Sequence, residues 1–233
     1  MNSTRPQPVT ITVDDGQRVS GLLQSPSRAR ACYVLAHGAG AGMAHPFMAA
    51  IADGLADRGI ATLRYQFPYM ERRSKRPDAP KLAQATVRAA VAEASRLVPT
   101  LALFVGGKSF GGRMTSLAQA ASPLAGVRGL VFLGFPLHPA GRPSDERGEH
   151  LFGVRIPMLF LQGTRDDLAN LELVQALAER LGRRATVKLF QDADHSFHLP
   201  ARAGCKDADV KAEMLDTLAG WIKEAIQASA VGS

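Results

Sequence analysis

The sequence predicts an α/β fold: one mostly parallel, twisted sheet of eight strands with helices on both faces, in a single domain over residues 1–233 with no separate cap domain. Two observations predict it. Short apolar runs alternate along the chain with longer helical patterns, which is the order that a parallel sheet covered on both sides requires. The central runs are continuously apolar rather than alternating, as in strands with no face left to water. Size agrees, since 233 residues, 46% of them hydrophobic and 21% charged, suffice for one globular sheet.

The first two strands are VTITV at 9–13 and VSGLLQ at 19–24. Asp14, Asp15 and Gly16 join them, a turn signal that makes an antiparallel hairpin of edge strands. Six central strands follow: CYVLAH (32–37), IATLRY (60–65), LALFVGG (101–107), GLVFLG (129–134), MLFLQG (158–163) and TVKLF (186–190). Helices are expected at about 44–58, 81–97, 110–121, 168–182 and 207–228. In the second of these, Leu82, Ala85, Ala89, Ala92 and Leu97 recur at helical spacing. A long loop follows the sixth strand in place of a helix.

Composition narrows the function classes. The start, MNSTRPQPVTITVDD, has no apolar core behind a basic region, and no later stretch is apolar for long enough to span a bilayer. A cytoplasmic protein without a membrane partner is expected. Cys32 and Cys205 lie far apart and lack metal-ligand spacing, so they read as reduced thiols. Separately, the chemistry argued below implies no metal or organic cofactor. The net charge of +7 would attract polyanions, yet the basic residues are scattered over helices such as LAERLGRR. No nucleic-acid partner is expected, and the oligomeric state is left open. One basic cluster stands apart, Arg72, Arg73, Lys75 and Arg76, within a loop.

Chemistry concentrates at Gly107-Lys108-Ser109-Phe110-Gly111, a G-x-S-x-G directly after a strand and directly before a helix. In such a nucleophile elbow the serine sits on a strained turn, and glycines are needed where a Cβ would clash. A serine hydroxyl is a poor nucleophile at neutral pH, so a base must take its proton and a third group must fix that base's tautomer. Asp166, just past the seventh strand, is the expected acid; Asp167 beside it stands where the next helix wants an N-terminal acid. His195, in QDADHSFHLP after the last strand, is the expected base, with His198 its competitor. The Phe110 N–H is one expected oxyanion donor, and the loop His37-Gly38-Ala39-Gly40-Ala41-Gly42 should supply the other, Ala39 first and Gly40 second. His37 is expected to brace that loop.

Together HGAGAGMAHPFM, GGKSFGGRM, LQGTRDDL and DADHSFH resemble the dienelactone-hydrolase-like branch of the α/β-hydrolases. They look closest to small bacterial members related to the hydrolase-like domain of a chromatin-complex scaffold subunit. The resemblance runs from the first hairpin to Trp221 and implies the α/β-hydrolase fold, with Ser109 as nucleophile, Asp166 as acid and His195 as base. The dienelactone enzymes proper carry cysteine where this chain carries Ser109, so their particular activity is not implied.

A serine hydrolase of carboxylic esters or related acyl compounds is therefore expected, with a small-molecule acyl substrate. A perhydrolase or acyltransferase would use the same three residues with another acceptor, and a non-catalytic interaction module would keep the fold alone. Many relatives insert a lid after the sixth strand; here Pro136 to Ile156 is too short for one, so an open site is expected. The loop after the fourth strand should share the rim, with Tyr65, Phe67 and Tyr69 lining an apolar pocket and the basic cluster attracting an anionic substrate.

Overall fold

The structure of the protein, a computed structural model, describes residues 5–231, and the ends of the predicted domain, 1–4 and 232–233, lie outside them. Strands β1 (Gln7–Thr12) and β2 (Arg18–Gln24) form the antiparallel hairpin. Six more follow, β3 (Ala31–Ala36), β4 (Ile60–Tyr65), β5 (Ala102–Lys108), β6 (Val127–Leu133), β7 (Met158–Gly163) and β8 (Ala185–Phe190), all parallel to one another. They make one eight-stranded sheet in the order β1-β2-β4-β3-β5-β6-β7-β8. The hairpin is not edge strand on both sides: β2 pairs antiparallel with β4 from Gly21↔Tyr65 to Gln24↔Thr62, leaving β1 and β8 at the edges. A hairpin joins a sheet through one of its strands, and that strand becomes internal.

The helices are α1 (Pro46–Asp57), α2 (Pro68–Glu71), α3 (Pro80–Leu97), α4 (Phe110–Ala121), α5 (Leu171–Leu181) and α6 (Asp207–Val231). Along β3, side chains alternate between two cores. Cys32, Val34 and Ala36 meet Val87 of α3, Met114 of α4 and Leu177 of α5 in one cluster; Ala31, Tyr33 and Leu35 join Ile51 of α1 and Leu218 of α6 in the other. Each such aliphatic or aromatic side chain contributes about 1.5–3 kcal/mol by leaving water. Tyr33 is fully buried, and its hydroxyl donates to the Val131 carbonyl at 2.9 Å, so its polar tip is matched.

Three local differences from the sequence reading have plain causes. The buried face of α3 is Ala83, Thr86, Val87, Ala90, Val91 and Ala94, one step round from the expected stripe, because alanines on every side leave the phase to the two valines. Helix α5 begins at Leu171, since the Asn170 side chain accepts from the Leu173 N–H at 3.1 Å and caps it; Asp167 lies outside the helix. The single-turn α2 starts at Pro68, whose fixed φ suits a first turn. The connection from β6 to β7 carries a 3-10 segment, Glu146–Gly153, pinned to α4 where His150 Nε2 lies 2.7 Å from Ser116 Oγ.

Candidate active site

Parallel strands deliver their following loops to one edge of the sheet, which collects the turns after β3, β4, β5, β7 and β8. Strand β5 ends at Lys108 and α4 begins at Phe110, so Ser109 alone turns the chain. It does so at φ 49° and ψ −115°, a conformation that costs a non-glycine residue on the order of 1–3 kcal/mol and survives only where the surroundings enforce it. The flanking glycines allow β3 to press against the turn. A Cβ on Gly107 would stand 2.2 Å from the Ala36 carbonyl oxygen, and one on Gly111 would stand 2.5 Å from that of His37.

Ser109 Oγ lies 2.8 Å from His195 Nε2, and His195 Nδ1 lies 2.7 Å from Asp166 Oδ2. Asp166 is 6% exposed and also accepts from the Gln162 side-chain amide and, at 2.8 Å, from the Leu168 N–H. An ionised carboxylate only accepts, so Nδ1 carries the imidazole proton and Nε2 is left to accept from the serine hydroxyl. Asp194 folds the histidine loop back on itself, its Oδ1 accepting from the Ser196 and His198 N–H groups at 2.7 and 2.9 Å. Thus Ser109, His195 and Asp166 come together from three loops. The competitors do not join them: Asp167 is exposed, and His198 Nδ1 lies 2.6 Å from Asp207 Oδ2 at the start of α6.

The loop after β3 is braced from beneath. His37 Nε2 accepts from the Phe67 N–H at 3.1 Å, which fixes the tautomer: Nδ1 bears the hydrogen and donates to the Gly38 carbonyl at 2.8 Å. Burial lowers the His37 pKa from its ordinary value, favouring that neutral form. The Gly40 N–H donates to the Tyr69 hydroxyl at 3.0 Å and the Ala41 N–H to the Gly38 carbonyl at 3.3 Å. Among the described residues no acceptor takes the Ala39 N–H. The Phe110 N–H belongs to the first turn of α4, where amides have no intrahelical partner.

Tyr65, Phe67 and Tyr69 do not line a pocket, which corrects the sequence reading. They are 1%, 0% and 0% exposed and belong to the core. Phe67 meets the rings of His37 and Phe110 edge-on at 5.0 and 5.3 Å. The cause is Asp78, buried, which accepts from the Tyr69 N–H at 2.9 Å and from Arg72 at 2.7 Å and draws the loop inward. None of Arg72, Arg73, Lys75 and Arg76 borders the space beside Ser109.

That space is a cavity of about 870 Å³ on the opposite side of Ser109, between the start of α1, the histidine loop and the first turns of α6. Phe47, Met48, Leu168, Phe197 and Met214 form its apolar wall. Sequence reasoning missed these residues. Phe47 and Phe197 sit inside two of the quoted motifs, whereas nothing in the pattern of α6 marks Met214. No residue of 136–156 borders the cavity, so the long connection is no lid. Among the described residues no group of three or more His, Cys, Asp or Glu is placed to hold a metal ion, and no helix is long and apolar enough to cross a membrane.

Comparison with known proteins gives a fold and a family. A serine hydrolase without a lid from Xanthomonas campestris superposes with a TM-score of 0.72 at 21% identity, over 94% of this chain and 95% of its own. Dienelactone hydrolase from Anabaena variabilis gives 0.73 at 20% identity over 94% and 98%, and the esterase domain of a Rhodothermus marinus protein gives 0.71 at 17% over 94% and 98%. At such identities the likeness is one of fold. The family model described as the alpha/beta hydrolase domain matches residues 29–223, most of the sheet and every loop that builds the site. The chain therefore belongs to the α/β-hydrolase domain family.

Proposed function

We propose that the protein is a serine hydrolase of carboxylic esters or related acyl compounds, working through a Ser109–His195–Asp166 triad and an acyl-enzyme. One observation carries the reading: the unbroken line of hydrogen-bond contacts from Ser109 Oγ through His195 to Asp166, at 2.8 and 2.7 Å. His195 Nε2 takes the hydroxyl proton as Oγ attacks the substrate carbonyl. The Ala39 and Phe110 N–H groups receive the oxyanion, each such donor being worth about 3–4 kcal/mol in the transition state. His195 then returns the proton to the leaving alcohol, the acyl group stays on Ser109, and a water activated by the same imidazole releases it. Asp166 holds the tautomer and stabilises the transient imidazolium.

The cavity walled by Phe47, Phe197 and Met214 receives the apolar part of a small-molecule substrate. The named fold neighbours, a serine hydrolase, a dienelactone hydrolase and an esterase, agree in kind. Cytoplasmic residence is part of the proposal and is supported by two free thiols, Cys32 and Cys205. Kinship with the hydrolase-like domain of a chromatin-complex scaffold subunit rests on the four motifs quoted above.

The test is burst release of p-nitrophenol from short-chain esters together with labelling by a fluorophosphonate. Ser109→Ala is expected to abolish labelling and lower kcat by roughly 10⁴-fold or more. A folded wild-type protein that no serine-directed probe labels would overturn the proposal. A non-catalytic module has no need of a complete relay, and transfer to alcohols or peroxide in place of water would show as product partition in the same assay.

A further inference from the structure

Lys108 fills the variable place before the serine in G-x-S-x-G, and nothing in the triad chemistry uses it. Its backbone closes β5, but its side chain crosses to the histidine loop, where Nζ donates to the His195 carbonyl at 2.6 Å. The neighbouring strand leaves room for this crossing. Gly134, just past β6, stands at φ 70°, and a Cβ there would come 3.1 Å from Lys108 Nζ and 3.3 Å from the His195 carbonyl oxygen. On the other side the Phe197 ring centroid lies 5.7 Å from Nζ. Phe197 holds φ 65°, a strained conformation for an aromatic residue, in the same loop.

The triad contacts fix the imidazole, yet they do not fix the main chain that carries it. His195 sits on a loop between β8 and α6; the turn built by Asp194 organises that loop within itself, and the Arg165 N–H, donating to the Ala193 carbonyl at 2.9 Å, ties its start to the turn after β7, but neither reaches the nucleophile strand. The Lys108 bond joins the loop's main chain, at the histidine itself, to the strand that presents the nucleophile. It also sets a cation beside the Asp166–His195 pair. The charged groups facing it are Asp166 from the turn after β7 and Asp194 from the histidine loop, and both favour the ammonium, while burial works against it and lowers the pKa to about 8.

We infer that Lys108 is a positioning residue: its ammonium clamps the backbone of the histidine loop onto the nucleophile strand. The inference rests on the triad reading above. Losing the clamp lets the imidazole drift from the Ser109 hydroxyl, which lowers kcat and leaves KM alone, because a small displacement of a reacting group costs up to about a hundredfold.

Three variants test it, assayed with p-nitrophenyl butyrate near pH 7. Lys108→Gln keeps a donor, and kcat should stay within a few-fold of wild type. Lys108→Met removes it, and kcat should fall roughly ten- to a hundredfold at unchanged KM. Lys108→Arg, which keeps charge and donor, should hold kcat within a few-fold of wild type. An unmoved kcat in folded Lys108→Met, or an equal loss in folded Lys108→Gln and Lys108→Met, overturns the inference and leaves the hydrolase reading standing. Should the Met variant fail to fold, the Gln variant decides, and a loss of about tenfold or more there overturns the inference. Absence of Ser109-dependent hydrolysis in the wild type would take down both together.

Discussion

Two aromatic-rich regions flank Ser109, one carried by the loop after β4 and one shared by the start of α1 and the histidine loop, and only the second borders open space. On the filled side Phe67 and Tyr69 pack against His37 and Phe110 beneath the loop that offers the Ala39 N–H. On the open side Phe47 and Phe197 stack at 6.2 Å with ring planes 7° apart and face the cavity. Burial does not distinguish the two, since Phe197 and Met214 are also buried. What distinguishes them is the atom beyond each ring: protein on the first side, vacant volume on the second. Filled aromatics should set the stability of the site and the placement of its donors, whereas open ones should set which substrates enter.

The largest expected effect tests the filled side. Phe67→Ala should destabilise the fold by about 3–5 kcal/mol in urea denaturation, the cost of a large buried truncation, while the folded protein keeps its KM in the proposed hydrolysis of p-nitrophenyl esters. A raised KM with unchanged stability would break the comparison. Next, Tyr69→Phe removes only the hydroxyl that accepts from the Gly40 N–H, and kcat should fall about tenfold at constant KM as the loop proposed to hold the oxyanion loosens. Smaller again, Phe47→Ala should raise KM for bulky or long acyl chains roughly three- to tenfold, and leave acetyl esters and melting temperature nearly untouched. Equal changes for short and long chains would deny Phe47 its place on the wall.

The smallest effect is one of pH and sharpens the account of His37. Its folded-state pKa lies below the ordinary value near 6.5, because burial disfavours the charged ring by more than the Gly38 carbonyl and the Asp78 carboxylate favour it. The unfolded chain therefore takes up that proton first on acidification. The stability His37 contributes is complete above pH about 6.5 and declines as pH falls through the depressed value. His37→Gln should flatten the melting-temperature profile over that window, and a profile identical to wild type would refute the assignment.

Much of this was legible beforehand, for local reasons. Each strand announced itself as a short run of apolar residues, and a parallel sheet has only one edge to which its following loops can go. The elbow was readable because Gly107 and Gly111 answer a local steric demand, and Asp166 and His195 because they follow strands in the expected order. That Asp166 and not Asp167 would stand beside His195 was readable, but the reason given for Asp167 was not, since Asn170 caps α5. The aromatic triplet misled because Tyr65, Phe67 and Tyr69 do lie after a strand at the functional edge; the inward pull of Asp78, a contact across nine positions, was invisible in the pattern.

Alone, then, the amino-acid order determined the sheet, the family motifs and the three residues proposed for chemistry, since each depends on a few neighbouring positions and the strand that precedes them. Tertiary structure decided which aromatics are filler and which are wall, and where the Lys108 side chain goes. Those outcomes depend on how elements far apart in the chain converge, and a void is defined only by everything that surrounds it.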